Sequence, residues 1–247
     1  VWALPLCNSL APNPYHPHIR SMIAVAPIVL AVIYGLFMYH FSVWRTQKAL
    51  TAQSEPLRDP ELVQSLRPLA RALDLDQIKV RLYKIPTVNG LATADGNIYL
   101  TQGFIDKFHM GQVTAAEIAS VVAHELGHVA LGHTRKRMID FSGQNALRTA
   151  LALILGRLIP GLGLWIANAI AGLLAARLSR TDEFEADAYA TALMIKSGYG
   201  AGPQKDLFAK LDRLTGNSSQ MPAWMLSHPH ATDRIKAIEA NEAKWTD

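Results

Sequence analysis

The longest unbroken apolar stretch is Met22 to Phe41, "MIAVAPIVLAVIYGLFMYHF", close to the ~20 residues a helix needs to cross a bilayer. A buried core helix is the plainer alternative. Length and flanks favour a span, with Tyr34, Tyr39 and Trp44 placed for the interfaces and Arg45 and Lys48 beyond them. The run ends in bulky residues, which does not suit a cleavable signal peptide. Val1 to His18 is rich in Pro, Asn and His without periodicity and reads as a mobile tail. Residues 19–44 are therefore expected to form a transmembrane anchor and residues 45–60 a polar linker.

Beyond the linker the pattern changes period. Leu62, Leu66, Leu69 and Leu73 recur at helical spacing. "IKVRLYKI", Ile78 to Ile85, alternates apolar and basic in the manner of a half-buried strand. "VNGLATADGNIYLTQGFI" then offers two short apolar pieces around Asp95-Gly96, a strong hairpin turn. Thr114-Ala115-Ala116-Glu117 fits a capping box that opens a helix through Ile118, Val121, Val122, Leu126 and Val129. A second apolar stretch, Leu158 to Ala176, is also of membrane length.

Composition narrows the class. Hydrophobic residues make up 50% and charged residues 18%, with mean hydropathy +0.11. That is too apolar for an ordinary soluble domain and too polar for a bundle of spans. The net charge of +4 is scattered and no aromatic-basic stripe is present, so a nucleic-acid partner is not indicated. Cys7 is the only cysteine. Any metal site must therefore be built from nitrogen and oxygen donors.

Such donors sit in "VVAHELGHVALGH", Val121 to His133. Burying imidazole and carboxylate is costly without partners, so their place in an apolar helix calls for a reason. His124 and His128, four apart, share one helical face and can bind one metal ion. Glu125 points to the side, where it can serve as a general base without being a ligand; this is the H-E-x-x-H arrangement. Gly127 leaves room for another element. His133 lies about 140° around the helix from His128 and reads as a helix-end residue near Arg135, Lys136 and Arg137.

A zinc site needs a third protein ligand and an open position. "SRTDEFEADAYATAL", Ser179 to Leu193, supplies a second helix on which Glu183 and Asp187 share a face. Glu183 would bind the metal, and Asp187 would accept the N–H of a ligating histidine. Asp182 and Glu185 read as solvated charges near a helix start.

These blocks, with "LSHPHATDRI", resemble the HtpX-like and CAAX-prenyl-protease-type zinc metallopeptidases, a gluzincin family, over about Leu62 to Ala243. The resemblance implies His124, His128 and Glu183 as ligands of one Zn2+ per chain and Glu125 as catalytic base. It implies that Val88, Asn89, Gly90, Leu91 and Ala92 form an edge strand accepting the substrate backbone, in physical terms β-augmentation. It also puts His228 near the metal and makes Arg234 a site-organising residue. His228 has two readings there, an oxyanion donor or a fourth ligand holding the enzyme latent. Outside the site, it and His230 would cap the last helix. Gly90 stands where many members have Ala after the Asn.

The expected fold is α+β and mostly helical: a zincin-like domain over residues 61–247 with a small sheet, behind the N-terminal anchor. A single crossing by Leu158 to Ala176 would put His124 and Glu183 in different compartments, so residues 145–176 are expected to form an apolar helical insertion that packs on the domain or dips into one leaflet. The expected function is that of a membrane-anchored zinc endopeptidase, acting on misfolded or membrane-associated polypeptides in membrane protein quality control. An intramembrane protease fits less well, because the H-E-x-x-H helix follows a polar sheet. A zinc-bound scaffold or chaperone-like factor would not need Glu125. The flanking charges, Arg20 before the first run against Arg45, Lys48 and Arg58 after it, favour a cytoplasmic catalytic domain on a bacterial inner membrane.

Overall fold

The computed structural model describes residues 43–133 apart from 94, residues 151–214 apart from 153, 160 and 161, residues 231–246, and isolated positions at 33–41 and 136. The expected tail and most of Met22 to Phe41 lie outside these residues. The described positions of that run, Ile33, Tyr34, Leu36, Phe37, His40 and Phe41, are helical. Among the described residues no helix is long and apolar enough to cross a membrane. Residues 1–42 and 43–247 form separate units, and the second carries everything that follows.

Its sheet has four strands in the order β1-β2-β4-β3, with β1 Ser54–Pro56, β2 Val80–Tyr83, β3 Gly90–Ala92 and β4 Ile98–Thr101. Strand β1 falls in the stretch read as linker. It has no apolar alternation of its own, and is held by Arg81, whose Nε donates to Ser54 Oγ and whose Nη2 donates to the Ser54 carbonyl, both at 2.8 Å. The parallel pairing of β2 with β4 leaves the intervening β3 as an edge, antiparallel to β4. Residues Asp95-Gly96 make the expected turn, with Gly96 at φ +83°.

The leucine-spaced segment is two short helices, α1 Pro60–Ser65 and α2 Arg67–Ala72. Pro68 lacks an N–H and cannot continue a helix through that point. Asp59 caps α1 by accepting from the Glu61 and Leu62 amides, and Leu62, Leu66 and Leu69 are buried. Burying a leucine fully stabilises by roughly 1.5–3 kcal/mol, so this segment anchors the sheet to the helices behind it. Helix α3, Gln102–His109, follows β4 directly.

Helix α4, Ala115–Ala130, opens with the capping box as expected: Thr114 Oγ1 accepts from the Glu117 amide and Glu117 accepts from the Thr114 amide. The Ala/Leu-rich segment that follows belongs to one helix, α5, Gly163–Lys196. From Gly163 on, the second apolar stretch and the carboxylate-bearing segment are therefore a single element, not two, with no proline between Gly163 and Lys196. The described residues before it, 151–152 and 154–158, are helical, with a bend at Ile159 and a turn at Leu162. Helices α6, Gly202–Leu214, and α7, Ala231–Thr246, close the chain. The core, including Ile98, Leu100, Phe104, Ile118, Val122, Ala190, Met194, Phe208 and Ile238, lies where α4, α5, α6 and the sheet meet.

Candidate metal centre

Helices α4 and α5 cross almost backbone to backbone. A Cβ at Gly127 would lie 2.9 Å from the Ala186 carbonyl oxygen and 3.2 Å from Tyr189 Cβ, so only glycine permits this approach. The crossing brings His124 and His128 of α4 against Glu183 of α5. The two Nε2 atoms are 3.1 Å apart; Glu183 Oε2 is 3.4 Å from His124 Nε2 and Oε1 is 3.4 Å from His128 Nε2. All three residues are buried, and their donor atoms could hold one metal ion. Ligands at about 2.0–2.1 Å on a tetrahedral ion stand roughly 3.3 Å apart, so the donor set fits such an ion by spacing as well as by chemistry.

Behind His124, the expected carboxylate is in place. His124 Nδ1 donates to Asp187 Oδ1 at 3.0 Å. Arg234, from α7, grips Asp187 with Nε to Oδ2 at 2.5 Å and Nη2 to Oδ1 at 2.7 Å, stacks over Phe208 at 4.4 Å and places Nη1 3.5 Å from Glu183 Oε2. Its guanidinium is 1% exposed. Such a buried ion is tolerable only because it is paired and hydrogen-bonded. Burial pushes the His124 pKa down, but its contacts with Asp187 and Glu183 outweigh this, and in the metal-free protein it is pushed up to about 9. Asp187 pays the same burial penalty, and Arg234 followed by His124 holds it below the ordinary aspartate range.

Glu125 is buried beside the pair and faces the sheet edge. A Cβ at Gly90 would come within 2.7 Å of Val121 Cγ1 and 3.5 Å of Glu125 Oε1, so the glycine lets β3 lie directly against this carboxylate. Of the expected edge segment, Gly90–Ala92 forms the strand. Asn89 precedes it, exchanging hydrogen bonds with Thr101, and Val88 packs on the core. His228 and His230 lie outside the described residues.

Sequence reasoning missed one group. His133 is neither a free helix end nor opposite the site. Helix α4 ends at Ala130 and Gly132, at φ +71°, turns the chain back. His133 thereby returns, 2% exposed, with Nδ1 3.1 Å from His128 Nδ1 and Nε2 3.0 Å from Glu185 Oε2. Asp182, also read as a solvated charge, is buried, with Oδ1 3.9 Å from His133 Nε2 and 3.7 Å from Lys136 Nζ. The signal available was Gly132 itself, a helix terminator that makes any angle reckoned past it invalid.

Comparison with known proteins agrees with this geometry. Residues 56–242 match the model of peptidase family M48. The chain is 33% identical to the metalloprotease LoiP of Escherichia coli over 65% of this chain and 64% of the relative. It is 25% identical to the protease HtpX of Pseudomonas aeruginosa over 87% of this chain and 86% of the relative. It is 29% identical to the human CAAX prenyl protease 1 homolog over 50% of this chain and 30% of the relative. The chain thus spans a little under two thirds of LoiP and about a third of the human protein. With the H-E-x-x-H pair, Glu183, Asp187 and Arg234 gathered at one helix crossing inside the matched residues, this chain belongs to peptidase family M48.

Proposed function

We propose that this chain is a zinc-dependent endopeptidase that hydrolyses bonds in extended polypeptide segments. The observation that carries the reading is the approach of Glu125, through Gly90, to a sheet edge that no further strand covers among the described residues, beside the His124–His128–Glu183 group. Two imidazoles and one carboxylate leave a coordination position open in a tetrahedral zinc site. When bound, zinc polarises the scissile carbonyl and acidifies water. The β3 backbone groups facing away from β4 pair with an incoming strand and fix its register. Glu125 then takes the proton of the attacking water on its carboxylate and delivers it to the departing amine.

The apolar surface before the site supports membrane-associated or misfolded polypeptides as substrates, in keeping with a quality-control role. Leu158, Leu162, Leu164 and Trp165 are 56–78% exposed, and an apolar patch of this kind marks a surface that meets lipid or apolar protein. The exposed cations Lys136 and Arg180 nearby in sequence suit an anionic cytoplasmic leaflet. A scaffold without turnover would have no use for a carboxylate held at the sheet edge.

The test is Glu125→Gln. It should keep its metal and its melting temperature while losing about 10²- to 10⁴-fold or more in turnover of an unfolded protein such as casein. Unchanged turnover would end the reading.

A further inference from the structure

His124 has a carboxylate to fix its ring. At His128 the Nδ1 faces another imidazole, His133, in a buried contact of 3.1 Å. Glu185 Oε2 lies 3.0 Å from the far nitrogen of that ring. An ionised carboxylate only accepts hydrogen bonds, so it calls for the proton of His133 on Nε2. A neutral ring protonated there presents a lone pair on Nδ1. His128 must then carry its own proton on Nδ1 and donate it, which leaves the His128 Nε2 lone pair pointing at His124 Nε2 and Glu183.

We infer that His133, set by Glu185, is the positioning residue that holds His128 in its metal-ligating tautomer, as Asp187 does for His124. The inference rests on the metal site proposed above. The two ligand histidines are thus oriented by different chemistry, one by an ion pair closed off by Arg234 and the other by an imidazole whose carboxylate is 56% exposed. Histidine ligands generally donate their second N–H to an outer partner that fixes ring and tautomer.

The same three side chains, His133, Asp182 and Glu185, also lie close enough to hold a cation themselves. The tautomers decide against this. A cation on His133 Nε2 would move that ring's proton to Nδ1, where it needs His128 Nδ1 as acceptor. The His128 proton would then sit on Nε2, and His128 would leave the central ligand set. With neutral rings, one site excludes the other.

The zinc-loaded protein should therefore contain one zinc per chain. Long-range proton–nitrogen correlation spectra should show His128 protonated at Nδ1 and His133 protonated at Nε2 with Nδ1 bare. A His133 protonated at Nδ1, or a second zinc lost on Glu185→Ala, would overturn the assignment without using any variant of His133. In His133→Leu, which fills the space but cannot accept, the zinc dissociation constant should rise about 10- to 100-fold and the visible spectrum of the cobalt-substituted protein should change. In His133→Asn, whose Oδ1 can accept near the place of Nδ1, affinity should stay within about threefold. A folded His133→Leu that binds zinc like wild type overturns the inference alone; wild type that binds no zinc overturns the metal site itself.

Discussion

Helix α5 carries two halves with opposite habits. Toward its start, Leu164 and Trp165 are exposed and Ile166 and Ile170 partly so, at 37–38%. Toward its end, Asp182, Glu183 and Asp187 are all 3% exposed or less. Large apolar side chains face out near the start, while near the end three acids face in beside the buried Ala190, Leu193 and Met194, and Glu185 stays exposed. The difference teaches that an acid is buried where it has partners. Asp187 can be inside because Arg234 and His124 offset its desolvation, and Glu183 because it meets the imidazoles of both His124 and His128. The exposed half has no such cover among the described residues of the domain.

The sharpest way to break the comparison is to remove the acid that gives the inner half its purpose. Glu183→Ala should lose bound zinc and with it nearly all peptidase activity, whereas Glu185→Ala should keep one zinc per chain at weakened affinity. Elemental analysis after dialysis separates the two, and the reverse pattern would show that the wrong carboxylate had been assigned.

A smaller effect is expected from the outer half. Leu164→Ser with Trp165→Ser should lower cleavage of a peptide anchored on lipid vesicles by about tenfold or more, since each large side chain is worth about 1.5–3 kcal/mol when buried. Cleavage of the same peptide free in solution should not change. An equal loss on both would mean that the patch supports the fold instead.

The smallest effect is on pH. In the metal-free protein His124 titrates at about 9, above its ordinary 6.5. A pKa raised by folding contributes stability that is complete below the unfolded value and is lost as pH climbs through the folded one. Metal-free protein should therefore lose several degrees of melting temperature between about pH 6.5 and 9. Zinc-loaded protein, whose ligand imidazoles are already neutral, should not. Melting curves that stay parallel across this range would contradict the direction.

Much of this centre was legible because each step stayed within one helical stretch or one turn. Thr114 and Glu117 are three apart, His124 and His128 four apart, Glu183 and Asp187 four apart, and periodicity carries such distances reliably. What failed lay past a change of direction. His133 was placed by extending a helix through Gly132, where the backbone reverses. Strand β1 has no pattern of its own and exists because Arg81, distant in sequence, clamps Ser54. The break between α1 and α2 was written in Pro68 but outweighed by the leucine spacing. The continuity of α5 was obscured because a change in composition, apolar to charged, looks like a boundary although no residue there stops a helix.

That continuity also makes α5 a ruler. At 1.5 Å per residue, Trp165 and Glu183 are separated by about 27 Å along the axis. If the outer end rests on a surface, the proposed zinc site stands off from it by up to that length. A chain tethered at the same surface needs about eight extended residues to reach it, at 3.3–3.6 Å each. Stubs shorter than this would be spared and longer ones cut, which a series of vesicle-anchored peptides with graded spacers would reveal. The helix would then choose among substrates by how far they protrude, before any side chain is read.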